Sequence, residues 1–162
     1  MATSPTNGTA PAAAAAEPSV RILGQFIKDL SFENPSAGRV VIEPNEQPNL
    51  RIEVNVNAQN VAPNVYESVL ELKAHCSVKA GVLYELESFY GALLQVENVP
   101  ADALEPFLLI NCPALTFPFV RRLVADITRE GGFPPLLLDP IDFGNLYAQR
   151  RQQAGQAAGP VA

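Results

Sequence analysis

The feature that most constrains this chain is the alternation of apolar and polar residues through its middle third. The run NLRIEVNVNA, residues 49–58, alternates without a break, and VYESVLELKAHCSV, residues 65–78, follows it closely. Successive side chains of a β-strand point to opposite faces of a sheet, so a period of two predicts strands with one apolar face. The apolar faces are predicted to comprise Leu50, Ile52, Val54, Val56 and Ala58 in the first run, and Tyr66, Leu70, Leu72, Ala74, Cys76 and Val78 in the second.

Two more runs complete the predicted sheet. In FIKDLSFENP, residues 26–35, alternation sets Lys28, Leu30 and Phe32 on one side and Asp29, Ser31 and Glu33 on the other. In VLYELESFYGALLQV, residues 82–96, Glu85, Glu87 and Phe89 are predicted to share a face. Turn residues rather than helices separate the last three runs, and Gly81 is expected to take a positive φ in one of those turns. This order indicates antiparallel pairing of four strands.

Helices are predicted only after the strands. Pro113 is expected to begin a long helix, Pro118 to kink it or to mark its true beginning, and Gly131 to end it. Asp142 is a suitable N-cap for a C-terminal helix. Strands followed by helices predict an α+β fold, in which a four-stranded antiparallel sheet carries a long helix and a C-terminal helix packed on one face.

Composition narrows the class of protein. A formal net charge of -6 over 162 residues argues against nucleic acid as a partner, because phosphate binding needs clustered Lys and Arg. No apolar stretch reaches the roughly 20 residues of a membrane-spanning helix, so direct membrane insertion is not expected. The N-terminus lacks the positive start of a signal peptide, which leads us to expect a cytoplasmic location and buried, reduced thiols at Cys76 and Cys112.

The domain is placed at residues 20–152. Residues 1–19, rich in Ala, Thr and Pro, are expected to be a disordered N-terminal tail, and residues 153–162 a flexible C-terminal tail.

Residues that could support catalysis are few. His75 is the single histidine, and strand alternation points it away from the neighbouring Cys76, so a Cys–His couple is not expected. The chain has no phosphate-binding glycine motif and no cysteine or histidine spacing typical of a metal site. These observations predict a protein that is not an enzyme and that uses no cofactor and no metal.

Three motifs, taken in order along the chain, resemble one known family. They are KDLSFENP from Lys28, CP followed by FPFVR between Cys112 and Arg121, and GFPPLLLDPIDFGNLY from Gly132. Together they resemble SecB, the bacterial protein-export chaperone family, over about residues 26–150. Thr116, Val120 and Ala92 depart from the commoner family pattern at positions that concern packing.

The resemblance implies an ATP-independent chaperone, or holdase. Proteins of this family keep secretory precursors unfolded in the cytoplasm and deliver them to SecA, the ATPase of the translocon. They form homotetramers built as dimers of dimers, and they use no cofactor.

The resemblance also implies two binding surfaces. The first is an apolar groove for the unfolded client, for which the matching positions are Leu50, Ile52, Val54, Phe133, Leu136, Leu138, Ile141 and Phe143. The second binds SecA through acidic residues, for which the matching positions are Asp29, Glu33 and Glu87, with Glu85 on the same strand face as Glu87. The alternative for the groove residues is an ordinary core beneath a loop, which applies first to Ile141 and Phe143. The alternative for the acidic residues is a solvated sheet edge.

Three other functions stay open at this point. A SecB-like chaperone dedicated to a toxin–antitoxin pair would have the same fold and a different client. A small-ligand-binding α+β protein, or an enzyme on that scaffold, would need convergent polar groups, for which Glu85, Glu87 and His75 are the candidates. A purely structural oligomer is the third.

Overall fold

The computed structural model describes residues 14–39 and 43–157. Its sheet contains β1 (Ser19–Glu33), β2 (Asn49–Ala62), β3 (Val65–Val78) and β4 (Gly81–Glu97), in the spatial order β1-β4-β3-β2. Every neighbouring pair is antiparallel. The four-stranded antiparallel sheet predicted from the alternation is therefore confirmed, and β1 and β2 are its two edges.

The turns between the last three strands are tight. Asn64, with φ of 58°, connects β2 to β3, and Gly81, with φ of 146°, connects β3 to β4. A positive φ costs an ordinary side chain steric strain that glycine escapes, and asparagine tolerates it better than most. The expectation of positive φ at Gly81 is confirmed.

A β-bulge in β1 changes the face of one residue. Ile27 lies opposite Tyr90 and Asp29 opposite Phe89, so Lys28 is an extra residue between them. Its Nζ lies 2.9 Å from Glu67, on the face that also carries Asp29. The prediction that Lys28 shares a face with Leu30 and Phe32 was wrong, because a bulge interrupts the period of two that the prediction assumed.

The long helix begins earlier than predicted. Helix α1 (Ala101–Pro106) passes through a π-helical segment (Phe107–Asn111) into helix α2 (Cys112–Glu130). Pro113 lacks the N–H that an α-helix would donate to the carbonyl of Leu109, and the π segment directly precedes it. The start expected at Pro113 was wrong, and α2 also continues through Pro118.

The helices pack on one face of the sheet, which we call the helix face; the other is the open face. One core cluster joins Leu72 and Leu86 of the sheet to Val120 and Val124 of α2. A second cluster joins Leu94 and neighbouring strand residues to Leu108 and Cys112. The packing of a long helix on one sheet face confirms the predicted α+β class.

The helical stretch Ala101–Glu130 is also long and apolar enough, by length and composition alone, to cross a membrane. By this measure the expectation that no apolar stretch reaches that length was wrong. A core helix passes the same test, and buried residues of this stretch contact the sheet.

The end of α2 is set by packing as well as by glycine conformation. Gly131 has an ordinary φ of -71°, but a Cβ built on it would lie 2.4 Å from the ring of Phe32. Gly132 takes the positive φ, at 88°, and the chain leaves the helix there. The predicted stop at Gly131 is confirmed, with Phe32 as an additional reason for the glycine.

Helix α3 (Phe143–Ala157) begins where Asp142 was expected to cap it. Asp142 Oδ1 accepts a hydrogen bond from the backbone N–H of Asn145 at 2.9 Å. Phe143 is its one buried residue within the described chain, and the helix continues five residues beyond the boundary predicted at 152.

Candidate functional site

The acidic surface lies on the open face where β1 and β4 pair. Glu33 lies directly opposite Glu85, Ser31 opposite Glu87, and Asp29 opposite Phe89. Directly paired residues of antiparallel strands project to the same face. The four predicted acidic residues are thus brought together, and the prediction that Asp29 and Glu33 share a face is confirmed.

Basic residues of β3 contact the two β4 carboxylates. His75 Nδ1 lies 2.8 Å from Glu85 Oε1, and Lys73 Nζ lies 3.2 Å from Glu71 and 3.4 Å from Glu87. The carboxylates of Glu71 and Glu87 raise the pKa of Lys73. Lys73 and His75 alternate with the apolar residues of β3, so the period of two already puts both on the polar face. That alternation is the sequence signal from which these partners could have been predicted.

The β1 carboxylates have a different environment. Asp29 Oδ1 accepts a hydrogen bond from the backbone N–H of Leu30 at 3.0 Å. Among the described residues, neither Asp29 nor Glu33 forms a salt bridge. The adjacent Lys28 is held by Glu67, and that hydrogen bond is the largest cause that lowers the pKa of the Glu67 carboxyl. Glu33 and Asp29 therefore offer the least neutralised negative charge of the surface.

The predicted groove residues of β2 lie on the helix face of an edge strand. Leu50 is 39% exposed and Ile52 38% exposed, while Val54 is half-buried. Next to Val54 is a cleft of about 320 Å³, whose other walls include Leu109 of the π segment and Leu146 and Tyr147 of α3. These helical residues were absent from the sequence prediction, because contact between α3 and β2 depends on the tertiary fold.

The segment between α2 and α3, residues 131–142, lies on the core. Phe133 packs against Tyr84, with ring centroids 4.9 Å apart, and Leu136 and Ile141 are partly buried against the same cluster. The hydroxyl of Thr128 accepts a hydrogen bond from the backbone N–H of Leu136 at 2.9 Å. This bond holds the leucine triplet against the end of α2.

Two of the predicted groove residues are core residues. Leu138 and Phe143 are each only 4% exposed, so neither offers surface to a client in this arrangement. Leu137, which the prediction left out, is 67% exposed. The triplet carries no periodicity from which its orientation could be read, and the sequence therefore could not separate the outward leucine from the buried one.

The two cysteines and their surroundings do not form a reactive centre. Cys76 and Cys112 are free and buried, as predicted. Burial raises the pKa of Cys112 to about 12 and also raises that of Cys76. A thiol with a raised pKa holds little thiolate at neutral pH, and the thiolate is the nucleophile. His75 lies on the open face and Cys76 on the helix face, which confirms the predicted separation.

Comparison with known proteins identifies the family. The family described as "Preprotein translocase subunit SecB" matches residues 13–154. "Protein-export protein SecB" of Azorhizobium caulinodans is 45% identical over 161 residues, which cover 95% of this chain and 96% of the relative. The same-named protein of Afipia carboxidovorans is 48% identical over 140 residues, covering 86% and 87%.

A solved structure shares the fold. The Mycobacterium tuberculosis Rv1957 SecB-like chaperone, in complex with a ChAD peptide from the Rv1956 HigA1 antitoxin, superposes with a TM-score of 0.62. The match covers 75% of this chain and 90% of the other at 12% sequence identity, which supports the fold alone. The family match and the identity over almost the whole chain are the stronger findings, and this chain belongs to the SecB family.

Proposed function

We propose that this protein is an ATP-independent protein-export chaperone, which holds secretory precursors unfolded in the cytoplasm and delivers them to SecA. The observation that carries the proposal is the likeness, over 95% of this chain, to a relative named for protein export. The protein acts in this proposal as a binding protein, without catalysis of its own and without a cofactor.

The client surface is proposed on the helix side of β2 and along residues 133–141. Leu50, Ile52 and Val54 supply the strand wall, and Leu137 joins Phe133, Leu136 and Ile141 as the apolar part of the segment. Leu138 and Phe143 support this surface from the core beneath it.

The energetics favour many weak contacts over one strong pocket. Burying one Leu or Phe side chain contributes roughly 1.5–3 kcal/mol, while ordering each client residue costs about 1–2 kcal/mol of backbone entropy. A single contact therefore cannot hold an unfolded chain. Several shallow sites on one client, repeated across protomers, raise the effective concentration and give retention with little sequence preference.

SecA is proposed to bind the open face at Asp29, Glu33, Glu85 and Glu87. The register of β1 and β4 gathers these carboxylates at one end of the sheet, and Asp29 and Glu33 carry no intramolecular cation among the described residues. A concentrated negative surface attracts a partner that presents basic residues, and it raises the rate of encounter.

A homotetramer, a dimer of dimers, is proposed as the working assembly. Exposed apolar residues suit such contacts on the outer side of α2, at Leu115 and Phe119, and on the edge strand β1, at Ile22, Leu23 and Ile27. Phe119 is 48% exposed and Ile27 49% exposed in the isolated chain. Large apolar side chains left in water at a strand edge favour association.

Dedication to a toxin–antitoxin pair is not favoured. The protein that suggests it shares only 12% sequence identity with this chain, whereas relatives named for protein export share 42–48%.

Native mass spectrometry tests the proposal directly. The purified protein is measured alone and with a denatured, slow-folding secretory precursor, and the same precursor after folding is the control. We expect a tetramer that carries the denatured precursor and ignores the folded one. A particle that binds neither form would contradict the chaperone proposal, and a monomer or dimer that still holds the client would contradict only the assembly.

A further inference from the structure

The free edge of β2 is closed at one residue by two side chains. The backbone N–H of Val56 donates to Oδ1 of Asn55 at 3.0 Å, and the backbone carbonyl of Val56 accepts from Nη1 of Arg150 at 2.6 Å. Both groups are therefore satisfied outside the ladder with β3. In an antiparallel strand the N–H and C=O of one residue point to the same side, so Val56 presents its backbone to the free edge.

The neighbouring outward positions follow from the period of two. Val54 and Ala58 also direct their backbone groups to the free edge, and their side chains lie on the helix face with that of Val56. A strand that paired here would thus place alternate side chains beside the apolar residues of β2. Unpaired edges of this kind readily accept a further strand.

Arg150 lies where such a strand would run. Arg150 lines two clefts beside β2. The first, of about 320 Å³, lies between β2 and α3, and the second, of about 410 Å³, lies between β2 and α1. Helix α3 itself buries only Phe143, at its start, and residues 148–157 are exposed. The hydrogen bond from Arg150 is a tether between a lightly packed helix and the edge of the sheet.

We propose that Arg150 is an internal competitor for strand pairing at the free edge of β2, and that an extended segment of an unfolded polypeptide displaces it. The displacing segment donates a backbone N–H to the Val56 carbonyl, and its alternate apolar side chains enter the two clefts beside Arg150. This inference rests on the proposed chaperone function and specifies how the client is recognised.

The occupant follows from the chemistry of the edge. Backbone groups recognise any extended chain regardless of its side chains, and an unfolded segment has its N–H groups free to pair along its whole length. The valine side chains and Leu109 then favour apolar residues at every second position of that segment. With no client bound, Arg150 and Asn55 satisfy the edge at Val56 and protect that point against pairing with another copy.

The test compares two adjacent arginines in the full-length protein. Arg150→Ala removes the bond to Val56, whereas Arg151→Ala removes the same charge from a residue whose guanidinium contacts Tyr147. Affinity for a denatured precursor is measured by fluorescence titration, with circular dichroism to show that both variants fold. We expect Arg150→Ala to bind about three- to tenfold more tightly than wild type, since one competing hydrogen bond is removed, and Arg151→Ala to match wild type.

A second probe tests the mode of pairing. A synthetic peptide of alternating Val and Thr is compared with the same peptide carrying N-methyl groups at every second residue, in both possible registers. We expect one register to lose at least tenfold in affinity, because N-methylation removes the donors that face the edge. The inference would be overturned if both methylated peptides bound equally, or if Arg150→Ala bound the precursor no more tightly than Arg151→Ala. In either case, precursor binding by wild type would still support the chaperone function. Failure of wild type to bind any unfolded precursor would overturn both.

Discussion

Glu33 and Glu85 lie directly opposite each other on β1 and β4, with both carboxylates on the open face of the sheet. Like charges at directly opposed positions destabilise a sheet. His75 Nδ1 lies within hydrogen-bond distance of Glu85 Oε1, at 2.8 Å, whereas Glu33 forms no salt bridge among the described residues. An arrangement that costs stability within the fold is understandable if the surface has a binding partner.

Charge reversal on β1 should separate the two proposed partners. We expect Asp29→Lys/Glu33→Lys to abolish SecA binding and to leave precursor binding unchanged, because these residues lie on the open face and the client surface on the other. Isothermal titration calorimetry with SecA and with a denatured precursor measures both.

The matched control reverses two charges at the far end of the same strands. Glu17 and Glu97 lie near the beginning of β1 and at the end of β4, where Ser19 pairs with Glu97. Glu17→Lys/Glu97→Lys should retain SecA binding. Loss of both SecA and precursor binding in the first variant would refute the assignment of separate surfaces.

Adjacent leucines should have opposite effects. Leu138 is 4% exposed and Leu137 67% exposed. Leu138→Ala should lower the free energy of unfolding by about 2–5 kcal/mol, because it removes buried methyl groups and leaves a cavity. Leu137→Ser should change that free energy by less than about 0.5 kcal/mol and weaken precursor binding several-fold. Urea denaturation and precursor titration check the two effects, and a Leu137→Ser variant with unaltered precursor affinity would remove Leu137 from the proposed groove.

A methyl group at Gly131 should be tolerated only if Phe32 is smaller. A Cβ at Gly131 would lie 2.4 Å from the Phe32 ring, which is itself packed against Tyr84. We expect Gly131→Ala to cost about 1–3 kcal/mol of stability through overpacking. In a Phe32→Leu background the same substitution should cost less, and the double-mutant cycle measures this coupling. Additive effects would contradict the clash between a Gly131 side chain and the Phe32 ring as the reason for this glycine.

Stability should fall at alkaline pH through Cys112. Burial raises the pKa of this thiol from 9.0 to about 12, so the unfolded chain loses its proton at lower pH than the folded one. The contribution is fully present below pH 9 and is lost as the pH rises toward 12, with a slope of up to about 1.4 kcal/mol per pH unit. Denaturant titrations between pH 7 and about 10.5 should show a steeper decline for wild type than for Cys112→Ala, which has no thiol to ionise. Parallel declines in the two proteins would contradict this account.

The sheet could be predicted from the local alternation of apolar and polar residues. Side chains alternate along any strand, so the faces of Leu72 and Cys76 on one side and of Lys73 and His75 on the other followed from the period of two alone. The joint position of Asp29 and Glu33 followed in the same way, and the family motifs supplied the prediction of a client surface and a SecA surface.

The places where the backbone departs from these regular patterns could not be predicted from the sequence. The bulge at Lys28 depends on how β1 pairs with β4, and the early start at Ala101 depends on a π segment that accommodates Pro113. Neither feature has a signal in the local sequence that would override the period of two in β1 or the expectation that a proline begins a helix.

What the amino-acid order alone determines is therefore the presence of four strands, the apolar faces of β2 and β3, and the family. Only the tertiary structure decides that Leu137 is exposed and Leu138 buried. It also decides that β2 is an edge strand and that Arg150 donates to the carbonyl of Val56. The physical reason is that the period of two in a strand and the period of a helix follow from the local geometry of the backbone. Exposure and edge position arise from contacts between residues far apart in sequence, such as Val56 and Arg150, which exist only once the sheet and helices have packed.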